Sequence, residues 1–194
     1  MGRVIWIISG PTNAGKSTFI RSPQCSSLTG LPVDAPVIFP FASTPLLTTR
    51  DQGSLYHYNI LRTADIQRRR APRGAPISSM PDFYADFDQD LKWREVLSVP
   101  TAKAAIVLVI DRATLLERAA RRQIVERRAT TDSDELPYQR EYWLDLFARI
   151  DLTRLYQAWC AELERHEIDW LLLDSRGDSY PRLMPQDLRM LENA

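Results

Sequence analysis

Five apolar runs recur along the chain, at residues 4–9, 37–41, 55–61, 104–110 and 170–173, with more polar stretches between them. The fourth, AAIVLVI, and the fifth, WLLL, are continuous, as expected of strands covered on both faces. Pro40 makes the far end of the second run the weakest strand boundary, because proline has no N–H to give to a ladder. Apolar positions at helical spacing fall between the runs, over residues 16–21, 83–97, 113–128 and 138–166. In the last of these, Tyr142, Leu146, Ile150, Leu155, Trp159 and Leu163 form one stripe. Strands alternating with helices predict an α/β domain whose parallel strands are joined by right-handed crossovers. Residues 22–36, 70–81 and 129–137 are rich in Pro, Gly, Ser or polar residues and read as surface loops. The middle loop is long enough to cover a site.

Composition changes this picture little. A chain of 194 residues with 44% apolar and 26% charged residues suits a single domain, 1–194, with a full core. The formal net charge is zero, so no global field draws the protein to nucleic acid or to an anionic membrane. Only Lys16, Lys92 and Lys103 among the 25 basic residues are lysines. Two causes fit that bias: GC-rich coding, and the grip of arginine's planar fork on phosphate. Cys25 and Cys160 are far apart and make no metal-ligand spacing, which points to a reducing, cytoplasmic setting. The apolar stretch before Gly10 is too short for a signal peptide or a membrane span.

Candidate chemistry begins where the first run ends. Gly10-Pro-Thr-Asn-Ala-Gly15-Lys16-Ser17 fits G-x-x-x-x-G-K-[ST], with an apolar strand before it and a helical pattern after it. The glycines let the chain fold back so that successive N–H groups face one anion, and the helix start adds partial positive charge. Lys16 in this pattern is expected to be a surface cation aimed at β- and γ-phosphates, and the Ser17 hydroxyl a Mg²⁺ ligand. Gly10, Asn13, Ala14, Gly15, Lys16, Ser17 and Thr18 would make up the cradle.

On these residues the chain resembles the P-loop NTPase superfamily. In strand–helix order and size it resembles the nucleoside and nucleotide kinase branch. The resemblance implies a three-layer sandwich around a five-stranded parallel sheet of order 2-3-1-4-5. It also implies ATP and Mg²⁺ as cofactors, an Arg-rich lid over residues 113–137, and Arg176 near the adenine. No N-K-x-D guanine reader is present, and the third run, LYHYNIL, lacks the carboxylate that usually supplies a second metal contact.

Kinases of this branch carry lid arginines after the fourth strand, and Arg118, Arg122 and Arg128 are placed to meet a migrating phosphoryl group. Such transfer needs positioning and charge stabilisation more than covalent chemistry. Glu117 and Arg121 form an i,i+4 pair fit for a solvated face, whereas Arg118 and Arg122 are a like-charge pair that is not. On the acceptor side, Thr48-Thr49-Arg50 with Tyr56 is similar to the guanylate kinase string S-x-T-T-R-x-P-R…Y, which implies an acceptor-binding role for Arg50. The second arginine and the proline of that string are missing here. Asp51 is the candidate base or orienting carboxylate, with His57 on the third strand beside the loop. Asp82, Asp86, Asp88 and Asp90 read as charge at a helix start. Arg68, Arg69, Arg70 and Arg73, with Tyr56, Tyr58, Phe83, Tyr84 and Phe87, offer a second option in which a nucleic-acid strand is held.

The sequence therefore predicts an ATP- and Mg²⁺-dependent kinase for a nucleotide, nucleoside or similar hydroxylated small molecule. The alternatives are a kinase acting on a nucleotide within DNA or RNA, and an ATP-binding module that transfers nothing.

Overall fold

Strand β1 (Ile5–Gly10) runs between two parallel neighbours, β3 (Leu55–Asn59) and β4 (Lys103–Val109). The computed structural model describes residues 4–39, 53–61, 87–121 and 140–192. Among these, β2 (Val37–Ile38) lies outside β3, and β5 (Asp169–Asp174) and β6 (Arg182–Leu183) lie beyond β4. The sheet order is β2-β3-β1-β4-β5-β6, with β6 antiparallel to β5 and all other pairs parallel. The expected five-stranded parallel sheet is thus present in its expected order but within a mixed sheet of six. A two-residue strand is too short to announce itself by periodicity.

Helix α1 (Lys16–Ile20) follows the glycine-lysine loop directly. Helix α2 (Pro23–Thr29) corrects the loop expected at 22–36. Its signals are local: the Ser22 side chain accepts from Cys25 N–H, Pro23 opens the first turn, and Gly30 closes it at φ 67°. Only Cys25 is buried, so no apolar stripe marks it. The helix expected at 83–97 begins later. A 3₁₀ turn, Phe87–Gln89, leads to Asp90, whose carboxylate caps α3 (Leu91–Ser98) by accepting from Lys92 N–H at 2.9 Å.

Helix α4 (Arg112–Arg121) leads, beyond residues outside the description, to α5 (Arg140–Arg149) and α6 (Leu152–Arg165). The last two replace the single helix expected over 138–166. The break at Ile150 and Asp151 has two causes. Arg112 donates to the carbonyls of Ala148 and Ile150, both at 2.8 Å, satisfying acceptors that a continuing helix would have used. Asp151 then accepts from Arg154 N–H at 2.7 Å and starts α6 afresh. A further 3₁₀ helix, Pro185–Glu192, packs on α6, where Thr153 donates to the Leu188 carbonyl.

Side chains alternate along each strand, so Ser9, Tyr56 and Tyr58 share one face of the sheet. That face carries an aromatic core. Tyr58 stacks on Trp159 of α6 at 4.9 Å and meets Trp93 of α3 at 5.5 Å. The Trp159 indole donates to Ser9 Oγ at 2.9 Å, and Ser9 Oγ donates on to the Ile106 carbonyl. Burying rings of this size contributes on the order of 2–3 kcal/mol each, and the indole N–H keeps a partner. Tyr56, Tyr58 and Phe87 are all fully enclosed, so these three present no faces on which a nucleic-acid base could stack. The opposite face carries Ile8 and His57. Among the described residues no helix is long and apolar enough to cross a membrane.

Candidate functional site

The loop between β1 and α1 turns through left-handed backbone. Gly15 adopts φ 83° and Asn13 φ 69°, both left-handed. Gly10, at φ 152°, lies so close to β4 that a Cβ built on it would stand 2.8 Å from the Leu108 carbonyl oxygen. Gly10 is therefore a close-approach glycine that seats the loop against the sheet. The Ala14 N–H donates within the loop to Pro11 O, and the N–H groups of Thr18 and Phe19 donate to Gly15 O. Lys16 and Ser17 open the helix, whose own turns offer their N–H groups no acceptor.

Lys16 differs from expectation. It is not a surface cation: only 4% of its surface is exposed, and its ammonium donates to the carbonyls of Gly10 at 2.8 Å and Pro11 at 2.7 Å. The charge is thereby held inside the curl of the loop. Ser17 and Thr18 are exposed on the first turn of α1.

Arg118 of α4 reaches the same loop. A Cβ built on Gly15 would lie 3.3 Å from its Nη1. Its Nη2 donates to the Ser175 carbonyl at 2.6 Å and to the Arg176 carbonyl at 3.1 Å. The turn after β5 that holds it is itself fastened to β4, because both Ser175 N–H and Ser175 Oγ donate to Val109 O. Arg118 thus arrives at the loop already oriented by backbone carbonyls.

The Arg176 side chain is paired with a carboxylate. Its guanidinium forms a two-pronged pair with Asp174, at 2.6 Å for the shortest contact, and lies 3.8 Å from Asp111. Burial alone would raise the Asp174 carboxyl; the Arg176 bonds, with help from the Arg118 charge, outweigh it and hold the group below its usual range. Asp111 also caps α4, accepting from Thr114 N–H and Thr114 Oγ1. The Glu117–Arg121 pair is formed at 2.7 Å on an exposed face.

On the β3 side, His57 sits opposite Ile8 on the face toward α1, its ring 4.8 Å from that of Phe39. Burial first, and the Lys16 charge second, push its imidazole down to about 3, so it stands neutral at ordinary pH. A group so weakly basic is a hydrogen-bonding partner and not a general base near neutrality. Asn59, next along that face, donates to Thr12 Oγ1 at 2.9 Å and pairs in register with Gly10. It ties the tip of the loop to β3 and was not anticipated from the sequence. Its signal in the sequence is an amide within the apolar run that follows the loop.

Arg50, Asp51, Arg122 and Arg128 lie outside the described residues, as do Arg68, Arg69, Arg70 and Arg73. Asp90 caps a helix as expected of that acidic group, and Asp88 pairs with Arg165 at 3.3 Å. Among the described residues no three His, Cys, Asp or Glu side chains cluster as metal ligands would. No protein-family model matches the chain, and none of the curated proteins compared with it matches either.

Proposed function

We propose that the protein is a P-loop-type phosphotransferase that uses ATP and Mg²⁺ to phosphorylate a nucleotide, nucleoside or similar hydroxylated small molecule. The observation that carries this reading is the convergence of Lys16 and Arg118 on one left-handed glycine loop at the carboxyl end of β1. Two cations gathered around one glycine loop at a helix start favour a multiply charged anion. The place is also the one that open α/β sheets use for ligands, since the chain turns to β3 on one side of β1 and to β4 on the other.

In this reading Gly15, Lys16, Ser17 and Thr18 bind the β- and γ-phosphates, with Asn13 and Ala14 shaping the loop. Arg118 balances charge that builds on the transferring group, an effect that needs the donor in place before reaction. Arg122 and Arg128, Arg50 at the acceptor and Asp51 as base complete the proposal from the sequence. The donor set fits a Mg²⁺ carried mainly by phosphate oxygens and water. Ser17 Oγ is the protein ligand it would take, and β3 ends in the amide of Asn59 where a carboxylate would add a second. Bound there, the ion would neutralise phosphate charge.

The experiment is direct. The protein is incubated with γ-labelled ATP and Mg²⁺ against nucleosides, nucleotides, sugars, and single-stranded DNA and RNA, with the products separated. Label on a small-molecule acceptor supports the reading. Label on a polymer moves it to the nucleic-acid alternative, and release as phosphate alone leaves the non-transferring module.

A further inference from the structure

A groove of about 260 Å³ opens at Ser17 and runs along α1 to the sheet edge, lined by Ile20, Arg21, Val33, Asp34 and Phe39 among others. Its size is just under the range of about 300–1,000 Å³ usual for ligand pockets, which suits a small molecule of about nucleoside size. Its charge is balanced: among the described residues lining it, Arg21 is the one cation and Asp34 the one anion. The remaining walls, apart from Ser17, are apolar. At the Phe39 end the ring rests on His57, whose imidazole is uncharged. From these observations we infer that the groove is a binding site for an uncharged, hydroxylated molecule of about nucleoside size, held against Phe39 with a hydroxyl on Asp34.

A phosphomonoester brings a charge of about −1.5 to −2 near neutral pH. Among the described residues the groove sets one arginine against one carboxylate, which does not offset that charge; Arg50, proposed for the acceptor from the sequence, lies outside them. An uncharged polyol needs no such offset: Asp34 accepts from its hydroxyls, Arg21 donates to its oxygens, and Phe39 covers its apolar face. Ser17 belongs both to the groove and to the first turn after the lysine loop, so a ligand seated there adjoins the proposed phosphate site. Calling that ligand the phosphoryl acceptor rests on the phosphotransferase reading; its binding does not.

The test pairs each neutral probe with its phosphorylated form: thymidine and thymidine 5′-monophosphate, adenosine and adenosine 5′-monophosphate, glucose and glucose 6-phosphate. Binding to the full chain is read by saturation-transfer NMR and calorimetry without ATP. At least one neutral probe should bind about 10-fold or more tightly than its phosphate. Phe39→Ala and Asp34→Asn should each weaken it by a similar factor, with unchanged melting temperatures. Tighter binding of the phosphorylated partners, no binding by any neutral probe, or no effect of either substitution overturns the inference. ATP affinity is measured alongside. Its loss in Lys16→Ala while the groove fails leaves the phosphotransferase reading standing; groove binding with no ATP affinity sinks that reading and leaves the groove intact.

Discussion

The Arg118 guanidinium reaches the glycine loop at Gly15: a Cβ built there would lie 3.3 Å from its Nη1. Because two carbonyls of the turn after β5 orient that guanidinium, it is a fixed donor at the loop. Arg118→Ala should lower the rate of phosphoryl transfer by about 10²-fold or more, the loss of on the order of 3 kcal/mol typical of one preorganised donor. Arg118→Lys should recover part of it, since an ammonium keeps the charge but not the fork. Single-turnover assays with γ-labelled ATP read this out. Unchanged turnover with a lowered melting temperature would reduce Arg118 to a strut.

Lys16 makes a second, separable case. Its ammonium satisfies the carbonyls of Gly10 and Pro11, so Lys16→Ala removes internal bonds as well as the cation proposed to meet phosphate. Transfer and ATP affinity should be abolished, while stability falls by only about 1–2 kcal/mol. Denaturant melts and ATP titrations distinguish the two. Normal ATP affinity in the folded variant would remove the loop from the site.

The loop was legible in the sequence because its signals are local: an apolar run, two glycines at fixed spacing, and a lysine at a helix start. So was the strand order, once the resemblance was taken up. What the sequence concealed is set by contacts between distant residues. Asn59 meets Thr12 only because β3 pairs with β1 in one register. The break between α5 and α6 depends on Arg112, which arrives from another helix. The burial of Lys16 follows from how the loop curls, which no residue pattern states. Helix α2 escaped notice for the opposite reason, having capping signals but no apolar stripe.

His57 offers a pH test. Its folded value is depressed from 6.5 to about 3 by burial and by Lys16. Between those values the unfolded chain binds the proton and the folded one does not, so stability rises with pH across the window. The contribution is complete above about pH 6.5 and is lost progressively as pH falls toward 3. The urea midpoint should therefore drop between about pH 7.5 and pH 5, and less so in His57→Gln. A folded-state imidazole resonance titrating near 6.5 that disappears in His57→Gln would contradict this.

Cys25 and Cys160 should be inert while the protein is folded. Both are buried, and burial pushes their thiols up to about 11 and about 12. The thiolate is the reactive form, so almost none is available near neutral pH. An aromatic disulfide reagent should label both in denaturant and neither in buffer. Fast labelling of either native thiol would be the contrary result.

Three glycines with positive φ separate packing from backbone strain. Gly30, at φ 67°, has nothing within 4 Å of a built Cβ, so Gly30→Ala reports backbone strain alone, about 1–2 kcal/mol. Gly15, at φ 83°, adds a contact with the Arg118 guanidinium, so Gly15→Ala should cost similar stability but a larger share of transfer activity. Gly10 is the severe case. Its Cβ would meet the Leu108 carbonyl, which is backbone in β4 and already accepts from Tyr156 OH at 3.1 Å. Relief requires β1 and β4 to part beside the loop, displacing the carbonyl that holds Lys16. Gly10→Ala should therefore lose about 1–3 kcal/mol beyond the Gly30 variant and weaken ATP binding as well. Equal melting temperatures for the Gly10 and Gly30 variants would show that β4 does not press on the loop.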